Sequence, residues 1–418
     1  VNQRLRIDNQ GREWVSAAEA ARLLGVKRTT LYAYASRGLV RSAAAGRGDR
    51  SRVYHRSDLE RLRSRSLARS GHGAVAASAL RWGEPVLETR IGSIGPQGPT
   101  YRGRPAVELA REGAAFEDVC SLLWSAPCPK SLGHDDRKLG APPAPLRSLL
   151  GSDAEPFDGM IETSAALTAS ELRTEPTVDM AKQRAPLLLR RLVAAAGLPL
   201  GTDAVTSSLE ADGVARALVL ALGGRTTPRA VAAVNEALIL SADHELNAST
   251  FACRVTASAG ANLSACTLSA LATLSGTLHG GVTARVEAMV EAIARPERAA
   301  AYVGARLDRG ESIPAFGHPL YPDGDPRAER LLEISERLGP KTKGVRILSA
   351  VVSAMDLVAR EKPTLDVGLT AVSSALGLRA GAPLAIFAAG RIAGWIAHAL
   401  EQRSAGFLLR PRARYVGE

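Results

Sequence analysis

The chain is poor in cysteine, poor in aromatics and free of long apolar runs, and each shortage argues against a class of protein. Its four cysteines, Cys120, Cys128, Cys253 and Cys266, form no C-x-x-C pair and show no zinc-ligand spacing. That counts against a disulfide scaffold or a zinc module, and the thiols read as reduced, mostly buried packing residues. No stretch of about 18 apolar residues occurs, so no transmembrane helix is expected. The polar, charged start lacks the apolar centre of a secretory signal, and a cytoplasmic location is expected. Aromatics make up 4% of the 418 residues while alanine is abundant, a composition suited to helices packed closely through small side chains. This length accommodates two or three domains and a large core.

What is present in excess is positive charge, and it is concentrated at one end. Residues 1–70 hold 16 Lys/Arg against 6 Asp/Glu, a net of +10 out of the chain's +11. A basic head on a near-neutral body points to a polyanionic partner for the head alone. Ser16-Ala17-Ala18-Glu19 has the form of a capping box, and Ala20, Leu23 and Leu24 follow at helical spacing until Gly25. A second short helix is expected from Lys27 to Ser36, with Leu31 and Ala35 inward. It carries Lys27, Arg28, Thr29, Thr30 and Tyr32 as donors to phosphates and base edges. A basic, glycine-bearing hairpin over Arg47–Tyr54 then supplies Arg50 and Arg52, and Ser57–Leu62 opens another helix. Across about residues 13–66 this resembles the winged helix-turn-helix of MerR-type and excisionase-type proteins, which implies DNA binding through phosphate contacts. Small modules of this type also bind proteins, and that reading stays open.

The body, from about residue 81 to 418, reads as helix after helix with Gly/Pro punctuation, and residues 125–160 as an irregular excursion. Its chemistry-bearing residues stand in loops. Phe316-Gly317-His318-Pro319-Leu320-Tyr321 runs on to Asp325-Pro326-Arg327 in a segment broken by glycine and proline. Two more histidines sit in polar surroundings, Asp243-His244-Glu245-Leu246-Asn247 and Leu278-His279-Gly280-Gly281. An isolated Asp366 follows Pro363. His55, His72, His134 and His398 read as structural. His244 has a competing structural reading, bonded to Asn247 or to a backbone carbonyl, and Asp366 has one as a helix N-cap. No metal site is expected, since neither H-x-x-x-H nor a Cys/His cluster occurs.

Taken in order, these motifs resemble those of citrate synthases. Ser241–Phe251 is similar to the first histidine motif, Leu278–Gly281 to the second, and Phe316–Ala328 to the third. Pro363–Val367 is similar to the aspartate motif, Tyr101–Ala110 to the family's start, and Arg391–His398 with Leu409–Gly417 to its end. The resemblance covers about residues 85–418. It implies an all-α fold of large and small helical domains, the small one at about 260–365, preceded by the winged helix-turn-helix. It further implies condensation of acetyl-CoA with oxaloacetate and hydrolysis of citryl-CoA, with no cofactor because the CoA thioester is a substrate. On this resemblance Asp366 is the base, His279 donates to the thioester oxygen and His318 polarises the ketone. Arg327 and Arg391, with His244 beside them, hold the carboxylates. Arg410 enters from the second subunit of a homodimer.

The chain departs from the family's wording over Gly95–Pro99, at Asp323-Gly324 ahead of Asp325-Pro326-Arg327, and at Pro319, which replaces the arginine that usually follows the third histidine. Loss of that cation is expected to weaken CoA phosphate binding unless Lys341, Lys343 or Arg346 substitutes, and with it to alter acyl-CoA affinity or preference. Two alternatives remain open at this level: a 2-methylcitrate synthase, and a transcriptional regulator whose synthase-like body senses a metabolite. A sensor needs only the arginines, so the intact set of His279, His318 and Asp366 points to catalysis.

Overall fold

The computed structural model describes residues 6–7, 13–44, 52–56, 58–59, 62, 87–131, 133, 136–171, 177–413, 415 and 417. Contacts divide the chain into two units, Val1–Glu88 and Thr89–Glu418.

In the first unit, Ser16 Oγ accepts the Glu19 N–H at 3.3 Å and starts the helix Ala17–Leu24. The reciprocal bond from Glu19 does not form, so half of the capping box is present. Gly25 ends the helix at φ 64°, a conformation only glycine adopts without strain. The second helix is Arg28–Ser36. Val15, Ala20, Leu31, Val40, Tyr54 and Leu59 form the small core. Leu23, Leu24 and Ala35 pack on it from half-buried positions. An antiparallel sheet completes the unit, in the order Arg6–Ile7, Glu13–Ser16, Arg52–His55, Ser42–Ala44. The last pair forms the two sides of the wing, with Ala44 opposite Arg52.

The second unit opens on a feature that sequence reasoning misses. Gly92–Gly95, Gly98–Tyr101 and Arg104–Pro105 form a three-stranded antiparallel sheet, with Gly95 opposite Gly98 across a two-residue turn. The Gly/Pro-rich wording looks like punctuation, whereas it encodes a tight hairpin. The irregular excursion expected over 125–160 is also shorter than expected. Helices Pro143–Leu149 and Pro156–Ser170 lie within it or begin there, each with proline in its first turn, where the missing N–H costs nothing.

The body is otherwise helical. Its axis is the 24-residue helix Ala382–Ala405, buried on all sides by Val178–Ala195, Pro228–Ser241, Ala248–Ser258 and Leu263–Leu274. Among the described residues it is the one helix long and apolar enough to cross a membrane, and here its whole apolar length is buried in protein. Two glycines let neighbours reach its backbone. A Cβ on Gly390 would stand 2.7 Å from the Leu238 carbonyl oxygen, and one on Gly394 would stand 2.7 Å from Asp243 Oδ1. This close approach presses the end of Pro228–Ser241, and with it Asp243 and His244, against the axial helix.

A second, smaller core gathers Val286, Met289, Val303, Ile347, Val351 and Met355. The helix Leu263–Leu274, assigned to the small subdomain on sequence, packs in the larger core. Helix Leu365–Leu376 serves both, giving Leu365, Leu369 and Val372 to the larger and Val367 and Ala371 to the smaller. Asp366, in its first turn, therefore lies where the two cores meet.

Glu287 also joins them. It sits on Val282–Ile293, and both its carboxylate oxygens accept the Gly381 N–H at 3.3 Å, just ahead of the axial helix. Burial raises its pKa to about 7; the Gly381 N–H opposes the shift and the nearby Glu155 carboxylate adds to it. Because the folded value exceeds the ordinary 4.5, the folded state holds the extra proton. Stability from this group is present below 4.5 and is lost as pH rises through about 7. Glu287→Gln should flatten that part of the pH dependence, as measured by thermal melting across the interval. An unchanged slope would show that Glu287 does not titrate there.

Candidate active site

Four loops and helix ends of the body supply the candidate residues. His244 lies between Pro228–Ser241 and Ala248–Ser258, in a turn where Glu245 has φ 53° and Asn247 caps the next helix. Its ring Nε2 is 2.8 Å from the Tyr321 hydroxyl. The Asn247 amide reaches only the His244 backbone oxygen, so the structural partnership with Asn247 does not involve the imidazole. Burial drives the His244 pKa well below its ordinary value, and the charges of Arg327 and Arg391 push it further. The ring is neutral near pH 7.

His318 stacks beside it. The two imidazoles meet edge to face with centroids 5.6 Å apart, and Tyr321 lies 4.9 Å from His318. The Leu320 N–H donates to His318 Nδ1 at 3.1 Å. Burial and then Arg327 lower the His318 pKa. A neutral ring whose Nδ1 accepts carries its proton on Nε2, so His318 offers an N–H donor there. The loop is held in place by Gly317 N–H to the Lys362 oxygen (3.0 Å) and Thr364 N–H to the Ala315 oxygen (2.9 Å). These bonds tie the third histidine to the residues just before Asp366.

Asp366 is not the N-cap; Thr364 holds that position, and its hydroxyl donates to Asp366 Oδ2 at 3.0 Å. Burial raises the Asp366 pKa, with the Thr364 bond and Arg327 opposing. A carboxylate raised in this way is a stronger base than an exposed one.

His279 occupies the turn between Leu263–Leu274 and Val282–Ile293, with Nε2 2.8 Å from Ser249 Oγ. The Ser249 hydroxyl donates to Asn247 Oδ1 (2.8 Å), and its oxygen accepts from Trp395 Nε1–H (3.3 Å). Burial, then Arg391, brings the His279 pKa down to about 4. With Nε2 engaged, Nδ1 is the ring atom left for a ligand.

The two arginines are the most buried charges of the group, at 3% exposure for Arg327 and 1% for Arg391. Arg327 is clamped by Asp325 through Nε (2.9 Å) and Nη2 (2.8 Å). Asp325 also accepts the Arg327 and Leu365 N–H groups, joining the third-histidine segment to the Asp366 helix. Burial alone would lower the Arg327 pKa, but Asp325 outweighs it and the value rises. Arg391 donates from Nε to the Ser241 oxygen at 2.7 Å and lies 4.7 Å above the Phe387 ring, which also contacts His279. Burial lowers the Arg391 pKa to about 10, with Asp243 opposing and Arg327 adding.

Sequence reasoning overlooks the residues that hold this group together: Tyr321, Asp325, Ser249 and Asp243. Asp243 is fully buried and accepts from His398 Nε2 at 3.2 Å, and His398 Nδ1 lies 3.4 Å from Arg254. Burial would raise the Asp243 pKa, but His398 and Arg391 outweigh it and hold the group ionised. His398 is structural, as expected, and it serves the site from behind. A signal existed for Asp325, because Asp-Pro opening a helix marks an N-cap. Tyr321 carries none in the local pattern.

Arg410 stands apart. It is exposed on the tail after Gly406 and, among the described residues, touches none of the others. Lys341, Lys343 and Arg346 are exposed around the start of Lys343–Val358, with Arg346 3.6 Å from Glu297.

On the first unit, Lys27, Arg28, Thr29 and Tyr32 are exposed, Thr30 is half-buried, and Arg52 is exposed on the wing strand. Arg50 lies outside the described residues. Behind this surface Asp58 holds Arg41 through two side-chain bonds of 2.7 and 2.9 Å, and Arg41 brings the Asp58 pKa down to about 2. His55 packs edge-on against Trp14, in keeping with its structural reading.

Comparison with known proteins bears on both units. The family model "Citrate synthase, C-terminal domain" matches residues 79–412, and a helix-turn-helix domain model matches residues 14–66. Citrate synthase 2 of Bacillus subtilis is 32% identical over 361 residues, covering 81% of this chain and 96% of that protein. A 2-methylcitrate synthase of Shewanella oneidensis is 31% identical over 362 residues, covering 82% and 95%. In fold, the body matches citrate synthase of Thermoplasma acidophilum, solved with carboxymethyl coenzyme A and oxaloacetate. The TM-score is 0.69 at 24% identity, over 80% of this chain and 94% of that one. A buried histidine–arginine–aspartate cluster on this helical frame, with the family model running through all of it, leads to one assignment: the chain belongs to the citrate synthase family and carries a helix-turn-helix domain ahead of its enzymatic body.

Proposed function

We propose that the body condenses acetyl-CoA with oxaloacetate and hydrolyses the resulting citryl-CoA to citrate and CoA, with no cofactor. The observation that carries this reading is the grouping of two neutral imidazoles and a half-buried carboxylate of raised pKa with a pair of buried guanidinium groups. Arg327 and Arg391 form a cationic seat for the two carboxylates of oxaloacetate, since guanidinium matches carboxylate bidentately. His318 Nε2–H points at chemistry that needs a donor on the ketone oxygen. Asp366 removes the methyl proton of the thioester while His279 donates to the thioester oxygen, which spreads the enolate charge. For that role the Ser249 hydroxyl has to turn from Asn247 Oδ1 and donate to His279 Nε2, which places the ring proton on Nδ1. The enolate carbon then attacks the ketone, His318 stabilises the alkoxide, and water releases CoA from the thioester.

CoA release from acetyl-CoA should require oxaloacetate. Asp366→Asn should lower kcat by roughly 10²–10⁴-fold while calorimetry still registers oxaloacetate binding. Loss of binding together with turnover would remove Asp366 from the role of base. In the same assay propionyl-CoA tests Pro319: a shifted ratio of the two thioesters is expected, and ordinary acetyl-CoA efficiency with no shift would show that Pro319 is silent.

Arg410 is proposed to complete the site of a second copy in a homodimer. Mixing the separately inactive Arg410→Ala and Asp366→Asn chains should then restore part of the turnover, because some mixed dimers hold one intact site. No recovery would place Arg410 outside the site.

The first unit is proposed to bind DNA, with Lys27, Arg28, Arg50 and Arg52 on phosphates and Thr29, Thr30 and Tyr32 alongside. Gel-shift titrations should show affinity falling steeply with salt, the logarithmic slope being about −0.9 per phosphate neutralised. Arg28→Ala with Arg52→Ala should reduce that slope by about two. A salt-insensitive complex would overturn the phosphate-binding reading.

A further inference from the structure

We propose that Tyr321 is a positioning residue that holds His244 in the tautomer protonated on Nδ1, and thereby sets the affinity for oxaloacetate. The affinity clause rests on the function proposed above; the tautomer clause stands on geometry alone.

Tyr321 is 3% exposed and touches three candidate residues with one side chain. Its hydroxyl lies 2.8 Å from His244 Nε2, its ring centroid 4.9 Å from that of His318, and the Arg327 guanidinium carbon 5.4 Å from the ring centre. The backbone fixes it there: Tyr321 N–H donates to the His318 oxygen at 3.0 Å, and Gly324 N–H donates to the Tyr321 oxygen at 3.1 Å. Gly324, at φ 122°, allows this double turn before Asp325 begins the next helix.

The direction of the hydroxyl bond follows from counting protons. Burial raises the Tyr321 phenol to about 12, so it keeps its proton at neutral pH. His244 is neutral for the reasons given above, so one ring nitrogen carries hydrogen and the other a lone pair. Among the described residues, His244 is the one hydrogen-bond partner of the Tyr321 hydroxyl. Were Nε2–H to donate to it, the phenolic proton would be left unspent inside the protein, a costly arrangement. Donation from Tyr321 to Nε2 spends that proton and leaves Nδ1–H as the imidazole's donor. The same hydroxyl fixes the ring plane, and the neighbouring charges of Arg327 and Arg391 disfavour the imidazolium. His244 thus becomes a neutral donor of fixed orientation beside the cations that seat a dicarboxylate.

The first test is made on the intact chain with ¹⁵N-labelled histidine and no substrate. The His244 nitrogens, assigned by their loss in His244→Gln, should show Nδ1 protonated and Nε2 bare. In Tyr321→Phe, which keeps the ring and removes only the hydroxyl, the population should move toward Nε2–H. Protonated Nε2 in the unmodified protein overturns the proposal whether or not the variant folds. The second test is kinetic. Tyr321→Phe should raise the KM for oxaloacetate roughly tenfold, the cost of one lost hydrogen bond in a buried site, with kcat nearly unchanged. A shifted tautomer with an unaltered KM overturns the affinity clause. Absence of turnover in the unmodified protein would count against the proposed function and leave the nitrogen spectrum as the judge of the tautomer.

Discussion

Two guanidinium groups buried within electrostatic reach of one another are the constraint around which the body is built. Arg327 and Arg391 are almost wholly removed from water, and a bare pair of this kind would be strongly unfavourable. The protein stabilises each with its own carboxylate: Asp325 clamps Arg327, and Asp243 lies near Arg391. Asp243 is in turn held by a chain of buried polar groups running through His398 and Arg254 to Glu401. The two cations are therefore held in place by the protein's own groups, the preorganisation that the proposed seating of a dicarboxylate requires.

The same two charges set the behaviour of the titratable groups nearby. They add to burial in keeping His244, His279 and His318 neutral. Asp366 is placed differently. It stands at the start of a helix shared by both cores and tied through Leu365 N–H to Asp325, and burial raises its pKa. One interior thus holds neutral imidazoles on one side and a carboxyl of raised pKa on the other. That separation of roles comes from environment, since no unusual residue type is involved.

Much of this was legible in the sequence, because the candidate site residues occupy loops and helix starts whose wording is distinctive. His244, His279, His318 and Asp366 each interrupt a helical pattern with polar or glycine-flanked residues, and the caps of the helix Ala17–Leu24 are written in Ser16 and Gly25. What supports them was not legible. Tyr321 and His244 are 77 positions apart, and His398 and Asp243 are 155 apart, so nothing local announces either pair. The hairpin over Gly92–Tyr101 was hidden because glycine and proline serve as breakers and as turn formers alike. Nothing in the sequence marks Gly390 and Gly394, and their purpose appears only in the close approach of Leu238 and Asp243.

The measurement that reaches the central claim most directly is a calorimetric titration of the intact chain with oxaloacetate, repeated with pyruvate. Pyruvate keeps the keto acid and lacks the second carboxylate. A preformed seat of two buried guanidinium groups predicts saturable binding of oxaloacetate and far weaker binding of pyruvate, with the difference abolished in Arg391→Leu. Equal affinity for the two ligands, or no binding of either, would contradict it.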